Sequence, residues 1–181
     1  MANPFPPPRV IENVAPAPVH AAVWGECMEK RWYYGNFSVS QQGAVPFWKM
    51  DLDDSAPTSA LWQHAQARCE GFAGGPMRVV RQYANGHTFG QGGRAHQDDG
   101  RPGTWTMLYY PMLEWRPEWE GETIWVNQAG DVLASVRPVP NRAVFFDSRI
   151  PHAGRAPSRI CAALRVTIAF KLEPAGDPAF T

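Results

Sequence analysis

The chain carries no excess of either charge: 17 Lys and Arg stand against 17 Asp and Glu in 181 residues. That balance leaves no electrostatic footprint for nucleic acid or an anionic membrane surface in the total, although a local basic patch is compatible with it. Cysteine is scarce. Cys27, Cys69 and Cys161 are far apart and odd in number, which argues for buried thiols in a reduced, cytoplasmic setting and against a disulfide framework. No apolar run approaches the roughly 20 residues needed to span a bilayer. Residues 1–10 are rich in Pro, with Pro6-Pro7-Pro8. They lack the basic and apolar regions of a signal peptide and are expected to form an extended lead-in. Gly90, Gly92 and Gly93 lie close together but have neither the Lys nor the following helix of a phosphate-binding loop, so that chemistry is rejected.

What is abundant is apolar and aromatic. Hydrophobic residues make up 44% of the chain, with eight Trp and nine Phe, enough for one domain over 1–181 with a real core. Val19, Val23 and Cys27 recur every four residues and predict an amphipathic helix over about 16–30. Leu61, Ala65 and Cys69 predict a second over about 58–69, with Ser55 or Thr58 as its cap. Trp32-Tyr33-Tyr34-Gly35-Asn36 between them reads as a turn or edge strand whose Tyr33, Tyr34 or Asn36 reaches toward a site mouth. Residues 40–55, with Asp51-Leu52-Asp53-Asp54, read as a solvated loop.

From Met77 the pattern becomes β-like. A strand is expected over 77–83, Asn85-Gly86 marks a turn, and further strands are expected at about 104–110, 122–126, 131–137, 142–147 and 159–171, with turns at 127–130 and 138–141. Short strands after helices confined to the first half indicate a mostly β antiparallel sandwich or barrel, not a βαβ fold.

The candidate chemistry lies within 94–167. If residues 94–98 are extended, His96 and Asp98 project to one side and Gln97 to the other. His152 follows the apolar run Val144-Phe145-Phe146. Two His and one carboxylate with an open opposite face form the facial triad of non-haem Fe(II) oxygenases. His-x-Asp alone is a common string and most often a surface or capping pair; the surroundings add weight. In Ala163-Leu164-Arg165-Val166-Thr167-Ile168-Ala169-Phe170, Arg165 and Thr167 interrupt an apolar strand on one face. A buried Arg is costly unless paired with an anion, and the carboxylate of a ligand would serve. His87 competes with His96, but it has no carboxylate two residues on; His64 reads as a structural helix residue.

These residues resemble the 2-oxoglutarate and Fe(II)-dependent oxygenases, and within them the prolyl-hydroxylase-like group. The resemblance covers about 77–172 and takes in Tyr83, His96-Gln97-Asp98, Thr106 to Tyr110 with Trp115, Gly121-Glu122-Thr123, Pro138, His152, Arg165 and Thr167. It implies a double-stranded β-helix, or jelly roll, with the N-terminal helices packed on one sheet and the catalytic core over 77–172. It implies Fe(II) held by His96, Asp98 and His152, and 2-oxoglutarate bound by Arg165 with Tyr110 and Thr167, near Tyr83. It implies oxidative decarboxylation by O2 to succinate and CO2, coupled to oxidation of a C–H bond. Related halogenases have a small residue in place of Asp98, so the carboxylate favours hydroxylation or desaturation. Arg94, Gln97, Asp99, Glu122 and Trp125 are candidates for the substrate rim, and Arg78, Arg81 and Arg155 for contact with an anionic group. A small-molecule or amino-acid-type substrate is favoured over a polypeptide, as a protein prolyl or residue hydroxylase would need. Two other classes stand beside this: a cupin-like metal-binding protein or isomerase, against which Arg165 and Tyr110 argue, and a nucleic-acid repair oxygenase, for which the neutral total offers no support. The oligomeric state stays open.

Overall fold

A computed structural model describes residues 5–39 and 44–176. In chain order the elements are β1 (Arg9–Ile11), α1 (Ala17–Glu29), β2 (Tyr33–Asn36), β3 (Phe47–Asp51), α2 (Ala56–Ala73), β4 (Met77–His87), β5 (Trp105–Tyr110), β6 (Thr123–Val126), β7 (Val132–Val136), β8 (Arg142–Asp147), β9 (His152–Gly154) and β10 (Arg165–Pro174), with a 3₁₀ turn at Pro117–Trp119. The strands form a seven-stranded sheet, β1-β8-β5-β10-β4-β3-β2, and a three-stranded sheet, β7-β6-β9. Every pairing is antiparallel. The fold is a double-stranded β-helix.

Alternation sorts each strand of the large sheet into two faces. On one, Met107, Phe145 and Phe170 meet α2: Cys69 Sγ lies 3.7 Å from Met107 Sδ, and the Phe72 and Trp62 rings lie 6.2 and 6.3 Å from Phe145 and Phe170. Burial of such side chains contributes roughly 1.5–3 kcal/mol each. Helix α2 starts where Ser55 accepts from the Thr58 amide and ends at Gly74, whose φ of 82° suits a left-handed cap. Helix α1 packs beside it through a bond from the Ser55 hydroxyl to Glu26. Cys27 and Cys69 are buried, Cys161 is half-buried, and all three are free thiols. No helix among the described residues is long and apolar enough to cross a membrane.

Several segments depart from the sequence reading. Residues 9–11 of the lead-in pair with β8. The supposed loop at 40–55 contains β3, which pairs with both β2 and β4; its buried residues Phe47 and Met50 stand three apart, so no period-two signal exists. The Trp32–Asn36 segment agrees with one of its two readings and supplies edge strand β2, with Tyr33 and Tyr34 exposed. Asn85-Gly86 is not a turn but the interior of β4, opposite Val166 and Thr167. A Cβ at Gly86 would stand 2.9 Å from a Leu164 methyl and 3.0 Å from the Trp32 ring, so the glycine serves a close approach. The last strand begins at Arg165 rather than 159, because the chain before it turns through a bond from the Cys161 amide to the Ser158 carbonyl. Residues 94–98 form no full strand: only His96 pairs, in an isolated bridge to His152.

Candidate metal centre and co-substrate pocket

That bridge builds the centre. The His96 amide donates to the His152 carbonyl at 3.0 Å and the reverse bond measures 2.9 Å, while the Asp98 amide donates to the Ser148 carbonyl at 2.9 Å. Two directly paired residues put their side chains on the same face, so the imidazoles meet with ring centres 4.7 Å apart. Asp98, two residues on, comes up beside them. Nδ1 of His96 lies 2.9 Å from the Arg94 carbonyl and Nδ1 of His152 lies 3.0 Å from the Ile150 carbonyl. Carbonyls only accept, so each ring carries its proton on Nδ1 and turns the Nε2 lone pair inward. Both Nε2 atoms stand 3.4 Å from an Asp98 oxygen, and the three donor atoms lie within 4.8 Å of one another. Ligands about 2.1 Å from one ion and at right angles are separated by roughly 3 Å; the set fits a single cation.

Electrostatics favour the ligating forms. Burial pushes His152 down to about 4, against an opposing pull from Asp98, so its ring is neutral near pH 7. Burial acts to raise the Asp98 carboxyl, but the charge of Lys171 and its hydrogen bond outweigh it and hold the group well below the usual carboxylate range. The Lys171 ammonium rests on Asp98 Oδ2. Thr106 donates to the same oxygen at 2.7 Å and shares a 3.0 Å bond with the Ser148 hydroxyl.

The cavity that holds these groups continues to Arg165, which is 1% exposed. Its Nε donates to the Gly121 carbonyl and its Nη2 to Thr123 Oγ1 at 3.0 Å; Nη1 lies 3.4 Å from His87 Nδ1. His87 is driven down to about 3, by burial first and the guanidinium second, and stays neutral. No carboxylate among the described residues forms an ion pair with Arg165, although burial disfavours its charge. A buried cation facing a cavity without its own anion suits a ligand carboxylate. Asn85 Oδ1, also buried and without a partner, belongs to a residue lining the same cavity.

Of the residues singled out from sequence, His96, Asp98, His152, Arg165, Thr167 and Tyr83 line this one cavity. Tyr110 stands behind its wall, fully buried, and donates to Thr123 Oγ1 at 2.8 Å, the oxygen that also receives Arg165. Trp125 is not a rim residue: it is 0% exposed, with its ring 5.1 Å from that of Phe146, because alternation along β6 turns Thr123 and Trp125 inward together. Glu122 falls on the opposite side, lining a separate cleft with Ile124 and Arg155. Gln97 points away from His96 and Asp98 and donates to the Arg149 carbonyl, Arg94 is exposed, and Asp99 is bound by Arg101. Arg78 pairs with Glu173. Thr106 and Thr123 stood in the resemblance without a role of their own, and Ser148 and Lys171 were missed. Lys171 had a signal, since it continues the alternate face of Arg165 and Thr167; the others are ordinary polar residues until their neighbours are known.

A jelly roll with two inward imidazoles, one carboxylate and a buried arginine in one cavity defines the facial-triad class of metal-dependent oxygenase. Residues 79–170 match the 2OG-Fe(II) oxygenase superfamily, and the chain belongs to it, with Fe(II) and 2-oxoglutarate as the family's cofactors. Solved structures agree in fold. The non-haem alpha-ketoglutarate-dependent epimerase SnoN from nogalamycin biosynthesis superposes with a TM-score of 0.72 at 14% identity, covering 93% of this chain and 78% of SnoN. A prolyl hydroxylase from Trichoplax adhaerens, in complex with a hypoxia inducible factor peptide fragment, gives 0.71 at 17% identity, covering 96% and 86%. HygX from Streptomyces hygroscopicus, with nickel, 2-oxoglutarate and hygromycin B bound, gives 0.68 at 14%, covering 93% and 83%. No curated protein matches the chain.

Proposed function

We propose that the protein is an Fe(II) and 2-oxoglutarate-dependent dioxygenase that hydroxylates or desaturates an unactivated C–H bond of a small molecule. The observation that carries this reading is Arg165, buried without a carboxylate partner in the cavity shared by His96, Asp98 and His152. When bound, the ferrous ion and the oxo acid supply the oxidising power, with O2 consumed and CO2 and succinate released.

The chain's residues provide the rest. His96 and His152 offer neutral Nε2 donors because backbone carbonyls hold their Nδ1 protons. Asp98 offers a carboxylate oriented by Thr106. Arg165 grips the distal carboxylate of the oxo acid, and Thr123, which accepts from both Arg165 and Tyr110, has its own hydroxyl proton left to donate. Thr167 lines the same wall. A small molecule fits the example of HygX, which binds hygromycin B, while the Trichoplax enzyme takes a peptide fragment.

The test is 2-oxoglutarate turnover. His96→Ala and His152→Ala are expected to abolish succinate formation, and Arg165→Ala to weaken 2-oxoglutarate binding with little effect on metal binding. Full turnover by either His variant would refute the ligand assignment. If the anaerobic Fe(II) protein gave no spectral change with 2-oxoglutarate, a cupin-like role without oxygenase activity would replace this one.

A further inference from the structure

We propose that Lys171, together with Lys49 and Arg81 around the ring of Tyr83, recognises a carboxylate or phosphate on the small molecule that is oxidised; this inference rests on the oxygenase reading of the site. Lys171 lies on β10, six residues beyond Arg165 on the same inward face. It lines the cavity of the candidate metal centre and also a second cleft that opens beside Asp98, with Arg81 and Arg101 in its walls. It therefore stands between the metal donors and the outside.

Three cations converge there. The Lys171 and Lys49 ammonium groups each lie 5.6 Å from the centre of the Tyr83 ring, and the Arg81 guanidinium 4.9 Å. Their counter-charges do not match that concentration. Lys49 is answered by Asp51, whose side chain is 59% exposed. Arg81 has no ion pair among the described residues, and the cleft's other carboxylates, Asp99 and Glu173, are engaged by Arg101 and Arg78. Lys171, with a side chain only 20% exposed, is answered by Asp98 alone.

Asp98 is also a donor of the candidate metal centre. A divalent cation bound there outweighs the carboxylate's single charge, so the half-buried Lys171 ammonium, still resting on Asp98, lies beside a centre of net positive charge, a costly state. The oxo acid's distal carboxylate is an unsuitable replacement, because it is taken up by Arg165, six residues back along β10 and without a carboxylate of its own. An anionic group on the substrate restores the balance. Held by Lys171, with Tyr83 as a flat apolar wall, it would place the remainder of the molecule over the metal donors.

The experiment uses the full chain loaded with Mn(II) and 2-oxoglutarate, titrated calorimetrically with phenyl phosphate and benzoate and with their neutral counterparts phenol and benzyl alcohol. The anionic probes are expected to bind about tenfold more tightly or better, and the stronger of the two identifies phosphate or carboxylate as the natural group. Lys171→Met should erase that preference and Lys171→Arg should keep it. Equal binding of charged and neutral probes overturns the proposal. So does a Lys171→Met variant that loses 2-oxoglutarate affinity but retains the anion preference, since Lys171 would then serve the co-substrate. Failure of 2-oxoglutarate itself to bind the Mn(II) protein refutes the oxygenase reading and the proposal with it.

Discussion

Thr106 governs how Asp98 is presented, because its hydroxyl donates to the carboxylate oxygen that also faces His152 and Lys171. Partners of this kind set ligand orientation and basicity. Thr106→Val keeps the shape and removes the donor, and is expected to lower Mn(II) affinity by about 10- to 100-fold in a chelator competition; unchanged affinity would show that the hydroxyl orients nothing. At the other end of the cavity Gly154 leaves room for the guanidinium. A Cβ there would stand 3.2 Å from Arg165 Nη1 and 3.6 Å from its Cζ. Gly154→Ala is therefore expected to displace Arg165 and raise the Kd for 2-oxoglutarate about tenfold. Calorimetry on the Mn(II) protein reads this directly, and a Kd equal to that of the parent would mean the arginine is not held where the ligand needs it. The Trp125 indole shows the limit of reading residue types singly: an aromatic beside the site in sequence belongs to the core in space.

Among the elements, the turn before β8 adds a side-chain junction to the pairing of β1 with β8, which already ties the N-terminal segment to the large sheet. Asn141 Oδ1 accepts from the Ala15 amide and from the Tyr109 hydroxyl, each at 3.1 Å, and Nδ2 donates to the Ala15 carbonyl at 2.8 Å. Its φ of 59° is left-handed, which Asn tolerates better than most residues. Asn141→Ala loses the bonds and strains the backbone, and is expected to cost roughly 2–4 kcal/mol in urea denaturation. Asn141→Gly keeps the backbone angle and should cost less; equal costs would show that the angle contributes nothing. Strand β10 shows how far an element can be read before its partners are known. The polar positions Arg165 and Thr167 on an apolar strand announced an inward face, whereas the start of the strand depended on contacts of the preceding turn.

For the molecule as a whole, the buried imidazoles set the response to acid. His87 and His152 titrate at about 3 and about 4 in the folded protein, against 6.5 as the ordinary value. Below about pH 6.5 the unfolded chain takes up protons that the folded metal-free protein refuses, so stability is fully present above that pH and falls as pH drops toward the folded values. Each group contributes a slope of up to roughly 1.4 kcal/mol per pH unit in that window. Asp98, held low, acts with the same sign. Thermal melts of the metal-free protein between neutral pH and pH 5 should show Tm falling with acid, and His87→Leu should make the fall shallower by about one proton's worth. A parallel dependence in the variant would show that His87 is not the buried neutral group.

Local chemistry was enough for much of this protein. Backbone alternation placed His96 and Asp98 on one side of an extended segment and Arg165 with Thr167 on one face of a strand. Four-residue spacing and the Ser55 cap located both helices, because helix and strand preferences act within a few residues. The tertiary structure alone decided what depends on a distant partner: that His152 lies opposite His96, that Asn85-Gly86 runs straight because Leu164 and Trp32 pack against a bare Cα, and that Lys171 reaches Asp98. Register and facing are set by pairing and packing between segments 56 to 97 residues apart in the chain, and no local pattern encodes which surface a side chain will meet.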